Sequence, residues 1–189
     1  MYNFSIKRYD GGMISCDTID WNSWTPDERA VIVYITDRKR GKVLLINKKR
    51  GLGKGKVSAP GGRLEKGETY LEAVIRECEE EVSITPESLQ KRVELHFQFT
   101  SGFSMYGEAF FTDSWKGSPI ESDEADPFWC DLDKLPFDKM WADDRYWLSQ
   151  AIAGQKFRGF FVFDDDTLVS QKLITIDSLS VPSVDNSTA

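Results

Sequence analysis

Cysteine and histidine are scarce in this sequence, and their scarcity excludes two kinds of site. The chain has three cysteines, Cys16, Cys78 and Cys130, and a single histidine, His96. The cysteines are odd in number and widely spaced, so they predict neither a disulfide framework nor a zinc site, and a reducing cytoplasm is the default compartment. One histidine also rules out any site that needs two imidazoles. We expect His96 to be a structural residue within a strand.

Long apolar runs and an excess of positive charge are also absent. The longest aliphatic-rich run, residues 30–35, is far too short to span a bilayer, and the first residues lack the apolar segment of a secretory signal. We therefore expect no membrane partner. The formal net charge of −7 argues against a broad basic surface for duplex nucleic acid. It still allows a small nucleotide as partner, because a bound divalent cation can outweigh local acidity.

The 189 residues fit one globular domain with appendages, and we expect a monomer. Apolar periodicity predicts strands at residues 29–36, 42–47, 93–100, 106–113, 156–163 and 173–176, and helices at residues 69–82 and 143–153. Strands and two helices mixed in this order favour an α+β fold over a doubly wound parallel one. We expect residues 1–27 to form an N-terminal extension or irregular cover, residues 28–177 to form the domain, and residues 178–189 to form a disordered tail.

The first predicted helix combines a capping signal, an apolar stripe and a group of acids. Thr69 and Glu72 match the S/T-x-x-E capping box at its start. The residues that recur at helical spacing on one apolar stripe are Leu71, Val74, Ile75, Cys78 and Val82. Glu77, Glu80 and Glu81 lie at i, i+3 and i+4, so they project from one side, at the edge of that stripe.

Carboxylates grouped beside a buried face repel one another unless a positive charge neutralises them. Arg76 can neutralise part of this charge, and a hard divalent cation such as Mg²⁺ would neutralise more. The alternative is that residues 79–81 form a solvated acidic turn. Two features of the context favour a metal site: Gly61 and Gly62 allow a close backbone approach, and Glu68 lies just before the helix.

Residues 62–84 resemble the Nudix box, whose consensus is G-x5-E-x7-R-E-U-x-E-E-x-G-U with U aliphatic. The matching positions are Gly62, Glu68, Arg76, Glu77, Cys78, Glu80, Glu81, Ser83 and Ile84. Two of these depart from the consensus. Cys78 replaces a bulkier apolar residue, and Ser83 replaces a glycine that we interpret as a left-handed residue after the helix, where serine costs about 1 kcal/mol. Every charged position of the pattern is retained.

The resemblance implies an α/β/α sandwich with a mixed β-sheet, in which a loop–helix–loop carries the metal site. It implies Mg²⁺, or Mn²⁺ in its place, bound by the Gly61 carbonyl, Glu77, Glu80 and Glu81. Glu80 and Glu81 would also act in catalysis, while Gly62, Glu68 and Arg76 would be structural, with Glu68 and Arg76 paired. The implied reaction is hydrolysis of a nucleoside diphosphate linked to another group, with the metal neutralising the phosphates and orienting water.

Several segments outside the box carry a second, more specific resemblance. They are residues 48–51 (KKRG), 121–124 (ESDE), 128–129 (FW), 135–137 (LPF), 140–147 (MWADDRYW) and 157–160 (FRGF). Through them, residues 29–165 resemble the mammalian-type MutT homologues, which are 8-oxo-dGTP diphosphatases of the nucleotide pool. The resemblance implies that Trp141 packs on the purine ring and that Asp143 and Asp144 meet its Watson–Crick edge. Adjacent acids in a pocket would repel and favour one shared proton. The alternative from spacing alone is that Asp143 caps the second helix, Asp144 favours its first turn, and Trp141 lies in the core.

The same resemblance adds four further site residues. Glu124 would lie near the metals as a ligand or general base, and Lys48 would face the site. Phe97 would line the pocket, with core packing as the alternative. Ser58 stands where the family has an asparagine that contacts the base, and its hydroxyl cannot make the paired contacts of an amide.

Two other functions remain open at this stage. One is a Nudix hydrolase of a different substrate, such as ADP-ribose, a nucleotide sugar or an RNA 5′ end. The other is a non-catalytic Nudix domain that senses a ligand. The retained carboxylates at residues 77, 80 and 81 disfavour the second, because a degenerate domain has no reason to keep repelling charges.

Overall fold

A computed structural model describes residues 14–177 of the chain as a mixed β-sheet with one helix on each face. The strands are β1 (Glu28–Asp37), β2 (Lys42–Lys48), β3 (Val57–Ser58), β4 (Gly61–Arg63), β5 (Ile84–Glu87), β6 (Gln90–Phe99), β7 (Ser104–Thr112), β8 (Ser114–Gly117), β9 (Ala125–Asp131), β10 (Phe157–Asp164) and β11 (Thr167–Thr175). The helices are α1 (Tyr70–Val82) and α2 (Asp144–Ile152).

The main sheet has the order β11-β10-β6-β7-β1-β2-β3, with β4 also paired to β1 and β9 to β2. The pairs β1–β7 and β6–β10 are parallel, whereas β6–β7, β1–β4, β2–β9 and β10–β11 are antiparallel. Strands β5 and β8 form a separate two-stranded sheet. The expectations of an α+β fold and a mixed sheet are therefore confirmed.

The two faces of the sheet bury separate clusters because successive residues of a strand point to opposite sides. Along β1, Val31, Val33 and Ile35 pack with α1, while Tyr34 packs with α2. Strand β2 alternates in the same way between Leu44 and Ile46 on one side and Val43 and Leu45 on the other. This gives the three layers that the Nudix resemblance implies. Neither helix of residues 14–177 is long and apolar enough to cross a membrane.

Helix α1 begins and ends as its local sequence indicates. The Thr69 hydroxyl accepts from the Glu72 N–H, and the Glu72 carboxylate accepts from the Thr69 N–H, so the capping box is present. Ser83 follows the helix with φ 59° and ψ 34°, which confirms the predicted left-handed conformation. The predicted stripe is partly wrong: Leu71 is 49% exposed and Ile75 only half-buried, because the buried face is rotated towards Ala73 and Glu81.

Residues 14–27 form no helix or strand and cover the part of the sheet that α1 leaves open. Cys16 is buried against Phe160 of β10, and its thiol donates to the Phe160 carbonyl. Trp21 and Trp24 pack against His96, and burial lowers the pKa of this histidine to about 4. His96 is therefore a neutral strand residue, as expected. The predicted N-terminal and C-terminal appendages otherwise lie outside the described residues.

Sequence periodicity missed the short strands and one of the longer ones. Apolar periodicity predicted no strand between residues 113 and 156, yet β9 pairs with β2 over seven residues that include Pro127. A proline is compatible with a strand that pairs on one side only. At a position whose N–H would face away from the partner strand, the missing N–H removes no hydrogen bond of the ladder. Strand β11 also begins at Thr167 instead of the predicted residue 173, because it pairs with β10 along the whole hairpin.

Candidate active site

A cleft of about 430 Å³ opens between the α1 loop, the first strands and the segment before α2. It gathers eleven of the residues that the sequence singled out: Lys48, Ser58, Gly61, Gly62, Glu77, Glu81, Phe97, Glu124, Trp141, Asp143 and Asp144. The cleft has two chemically different ends. Carboxylates and glycine backbone form one end, here called the carboxylate end, and aromatic rings with two buried acids form the other, here called the aromatic end.

Glu81 is the most deeply buried group of the carboxylate end, with 2% of its surface exposed. Its Oε2 atom accepts from the Gly61 N–H at 3.0 Å, and its Oε1 atom accepts from the Lys48 ammonium at 3.1 Å. The same ammonium lies 3.4 Å from the Gly61 carbonyl oxygen. One cation is thus shared between a carboxylate oxygen and a carbonyl oxygen, both of which are ligands that hard divalent cations prefer.

Glu77 reaches the carboxylate end because residue 62 has no side chain. A Cβ atom added to Gly62 would lie 2.3 Å from both Cδ and Oε1 of Glu77. Arg76 donates to Glu77 Oε1 at 2.8 Å. The pKa of Glu77 is nevertheless raised, chiefly by burial, and the charges of Glu81 and Glu80 add to the effect. A divalent cation would favour the ionised form of this carboxyl, so Glu77, Glu81 and Gly61 together fit such an ion.

Arg76 ties α1 to the loop that precedes it. Its Nε and one terminal nitrogen donate to the two oxygens of Glu68 at 2.7 and 2.9 Å, and it also donates to the Arg63 carbonyl at 3.0 Å. This two-pronged bond holds the pKa of Glu68 below its usual value. The pairing of Glu68 with Arg76 that the motif implied is present.

Two of the five expected metal ligands lie apart from this end. The Glu80 side chain is 62% exposed, bonds Arg76 at 3.2 Å and does not line the cleft. Glu124 lines the mouth of the cleft, where it is half-exposed and paired with Arg50. Within residues 14–177, no three acidic, histidine or cysteine side chains converge closely enough to hold a metal ion. The structure therefore places Glu77, Glu81 and Gly61 within the cleft and Glu124 at an exposed position that lines it. Glu80 lies outside the cleft and is joined to Glu77 through a shared Arg76 nitrogen.

The aromatic end contains Asp143 and Asp144, which are 2% and 7% exposed. Asp143 Oδ2 accepts from Trp147 Nε1 at 3.1 Å, and the side chain makes no capping bond to α2, so the capping alternative is wrong for this residue. Burial raises the pKa of Asp143 to about 6. Burial, and then the charge of Asp143, raise the pKa of Asp144 well above its usual value. At neutral pH the pair therefore tends to retain a proton.

Trp141 stands half-buried beside these acids in a corner built by distant segments. Its ring makes edge contacts with Phe163 and Phe99, at centroid distances of 5.4 and 6.4 Å. The ammonium of Lys56 lies 4.9 Å from the ring centroid, and a Cβ atom on Gly53 would lie 2.9 Å from the indole nitrogen. Trp141 is thus a wall of the cleft as well as part of the α2-side core.

Sequence reasoning missed several residues of the aromatic end. The basic loop of residues 51–56 gave no sign that Lys56 would pair with Asp166 at 2.9 Å and cover Trp141. The sequence also gave no sign that Tyr34 would pack against Trp147, which bonds Asp143, or that the charges of both acids would help to raise the pKa of its phenol. Phe97 both lines the cleft and stacks on Phe161 at 5.6 Å, so the pocket and core interpretations hold together.

The chain is similar to known proteins in both sequence and structure. A family model described as the NUDIX domain matches residues 26–151. The chain is 40% identical over 141 residues to an oxidized purine nucleoside triphosphate hydrolase of Danio rerio, which covers 74% of this chain and 90% of the relative. It is 37% identical over 139 residues to the Mus musculus protein of the same name, covering 72% and 89%. A MutT protein from Bacillus halodurans has a TM-score of 0.68 at 27% identity, covering 77% of this chain and 97% of that one.

Proposed function

Since this chain belongs to the Nudix family, we propose that it hydrolyses purine nucleoside triphosphates with an oxidised base, such as 8-oxo-dGTP or 2-hydroxy-dATP. The products are the nucleoside monophosphate and pyrophosphate, and the role is sanitation of the nucleotide pool. The resemblance to the mammalian-type MutT homologues, stated from the sequence, is confirmed by the fish and mouse relatives. The chain is a Nudix hydrolase.

One observation carries this proposal: a single cleft joins the carboxylate end to the aromatic end. A nucleoside triphosphate has the same polarity, with a multiply charged phosphate chain at one end and a flat base with hydrogen-bonding edges at the other. A pocket that is mostly apolar and carries a few placed polar groups is the usual form of a small-molecule site. Trp141 offers an aromatic face to the base, and the buried acids offer both an acceptor and a donor.

Enzymes of this family use a divalent metal ion, and for this chain we propose Mg²⁺, with Mn²⁺ able to replace it. Glu77, Glu81 and the Gly61 carbonyl would hold this ion, which would supply positive charge beside the phosphates and make a bound water more acidic. Lys48, which pairs with Glu81 here, would then be free to bind the phosphates. Glu124 and its partner Arg50 stand at the mouth of the cleft, where the carboxylate serves as a ligand or general base and the guanidinium meets the phosphate chain. Glu80 acts from the outer side, through water.

Ser58, Phe97 and Trp141 line the base-binding part of the cleft, and Asp143 and Asp144 meet the base edge. Because each acid is adjacent to the other and buried, one proton shared between them gives the pair a donor and an acceptor at once. Such a pair can match more than one oxidised purine.

We also propose that the protein works as a monomer in the reducing cytoplasm, which is compatible with three free cysteines, two of them buried.

The test is a turnover panel with 8-oxo-dGTP, 2-hydroxy-dATP, unmodified dNTPs, ADP-ribose and a 5′-triphosphate RNA. We expect kcat/KM for the oxidised purine triphosphates to exceed that for ADP-ribose by about 100-fold or more, since buried polar groups reject ligands that leave them unpaired. Turnover should stop with a chelator and return with Mg²⁺. Equal or faster turnover of ADP-ribose would contradict the substrate assignment, and metal-independent turnover would contradict the metal assignment.

A further inference from the structure

Two buried side-chain atoms of residues 14–177 lack a hydrogen-bond partner: the Tyr34 hydroxyl oxygen and Asp143 Oδ1. An unpaired buried polar atom is costly, so each such atom calls for a partner. The Tyr34 hydroxyl is a donor that can also accept, and Asp143 Oδ1 is an acceptor when Asp143 is ionised. The two groups are therefore chemically complementary.

Both groups contact the same side chain. The Tyr34 ring packs edge-on against Trp147, with a centroid distance of 5.9 Å, and Trp147 Nε1 donates to Asp143 at 3.1 Å. Tyr34 is fully buried in the middle of β1, behind the wall of the cleft. Burial raises the pKa of its phenol far above the usual value, and the charges of Asp144 and then Asp143 raise it further. The phenol therefore keeps its proton and lies within electrostatic reach of both acids.

Few other groups are placed to compensate the negative charge of the Asp143–Asp144 pair. Around it, β1 contributes Tyr34 and α2 contributes Trp147, while Lys56 lies over the Trp141 ring and pairs with Asp166. The remaining charged groups that line the same cleft are Lys48, Arg50, Arg63, Glu77, Glu81 and Glu124. These belong to the carboxylate end and its mouth. A second donor next to the acids is what the pair needs in order to hold one negative charge in an apolar surrounding.

We propose that Tyr34 is a positioning residue of the aromatic end, whose hydroxyl donates through one buried water molecule to the ionised member of the Asp143–Asp144 pair. The pair keeps one proton, the phenol keeps its own, and the bond fixes which carboxyl oxygen is free to accept from the base. The hydroxyl does not reach the base itself, because Tyr34 is not part of the cleft wall. The consequence for substrate choice rests on the proposed function, whereas the bond itself does not.

The direct test is the titration of the Asp143 and Asp144 carboxyls in the ligand-free protein, followed by carboxyl ¹³C chemical shifts. A hydrogen bond to the charged form favours that form, so Tyr34→Phe should raise the lower apparent pKa of the pair by about 1. The matched control is Tyr106→Phe, whose hydroxyl bonds Glu108 at 3.1 Å in a separate polar cluster. It should leave the titration of the pair unchanged. Identical titrations in the wild type and Tyr34→Phe would overturn the proposal.

Thermal unfolding at pH 8 gives an independent test. Tyr34→Phe should change the Tm in opposite directions according to whether the hydroxyl is bonded to the pair or has no partner. If the hydroxyl bonds the ionised pair, Tyr34→Phe removes a favourable bond and should lower the Tm. If the hydroxyl is buried without a partner, the same change removes a desolvation penalty and should raise the Tm. A raised Tm would therefore overturn the proposal even if the variant is fully folded.

Steady-state kinetics separate this proposal from the proposed function. With oxidised purine triphosphates, Tyr34→Phe should move the acid limb of the kcat/KM profile to higher pH and raise KM more than it lowers kcat. If those substrates are not turned over while the carboxyl titration still shifts, the proposed function fails and the role of Tyr34 stands. If they are turned over with an unshifted profile, Tyr34 has no role in base recognition.

Discussion

The Glu77 carboxyl group occupies the space that any side chain on Gly62 would need, since a Cβ atom there would lie 2.3 Å from Glu77 Cδ. Gly62→Ala should therefore push the Glu77 carboxyl out of this space and weaken Mg²⁺ binding by at least about 10-fold, because metal sites tolerate only small displacements of their ligands. Calorimetric titration with Mg²⁺ would measure the loss. Gly107→Ala is a matched control, because its nearest contact would be an ordinary 3.7 Å. Equal Mg²⁺ affinity in the two variants would contradict the role of Glu77.

Glu81 and Glu80 are adjacent acids with opposite environments, one buried in the cleft and one exposed outside it. We expect Glu81→Gln to lower kcat by about 100-fold or more, since it removes a charge that no other group can replace at the metal. The fold should persist, because the amide oxygen can still accept from the Gly61 N–H. Glu80→Gln should cost less than about 10-fold. Near-normal turnover by Glu81→Gln would refute the ligand assignment, and circular dichroism would check the fold.

Asp144 lies at the aromatic end of the cleft, whereas we propose that the phosphates bind at the carboxylate end. Asp144→Asn keeps the shape of the side chain but leaves it unable to lose or share a proton. We expect the ratio of kcat/KM between 8-oxo-dGTP and 2-hydroxy-dATP to change by about 10-fold, which corresponds to the net contribution of one hydrogen bond. The Mg²⁺ concentration at half-maximal rate should stay unchanged. An unaltered substrate ratio would assign Asp144 to the start of α2 alone.

Burial of Asp143 should make stability depend on pH in a defined direction. Its pKa in the folded protein, about 6, exceeds the ordinary 3.8, so the folded state binds the proton more tightly. This stabilisation is fully present below about pH 4 and is lost as pH rises through about 6. The unfolding free energy of the wild type minus that of Asp143→Asn should therefore fall from pH 4 to pH 8.

Urea unfolding of both proteins across this range is the measurement. The raised pKa of Glu77 and the lowered pKa of Glu68 are common to both proteins, so they cancel in the difference. Asp144 does not cancel: the charge of Asp143 helps to raise its pKa, so its titration contributes to the difference in the same direction. A difference that does not change with pH would show that Asp143 titrates as an exposed acid does, and would remove the basis for a shared proton.

Local features of the sequence were predictable because their causes lie within a few residues. The capping box of Thr69 and Glu72 located the start of α1, and the family pattern located the left-handed Ser83 at its end. The exposure of Leu71 was not predictable from the stripe, since the buried face depends on which strands lie under the helix. Strand β9 was missed for a similar reason, because its ladder to β2 and not its own composition makes it a strand.

The sequence by itself determined the family, the acidic helix and the kind of chemistry, because a metal-binding motif is a spacing along one helix and its loop. Only the tertiary structure decided which of those groups meet. It turned Glu81 inward and Glu80 outward, and it placed Trp141 and Asp143 at the other end of the cleft that holds Glu81. It also buried Tyr34 behind the acid pair. Such relations depend on the packing of the sheet between its two helices, and no periodicity within a single segment encodes them.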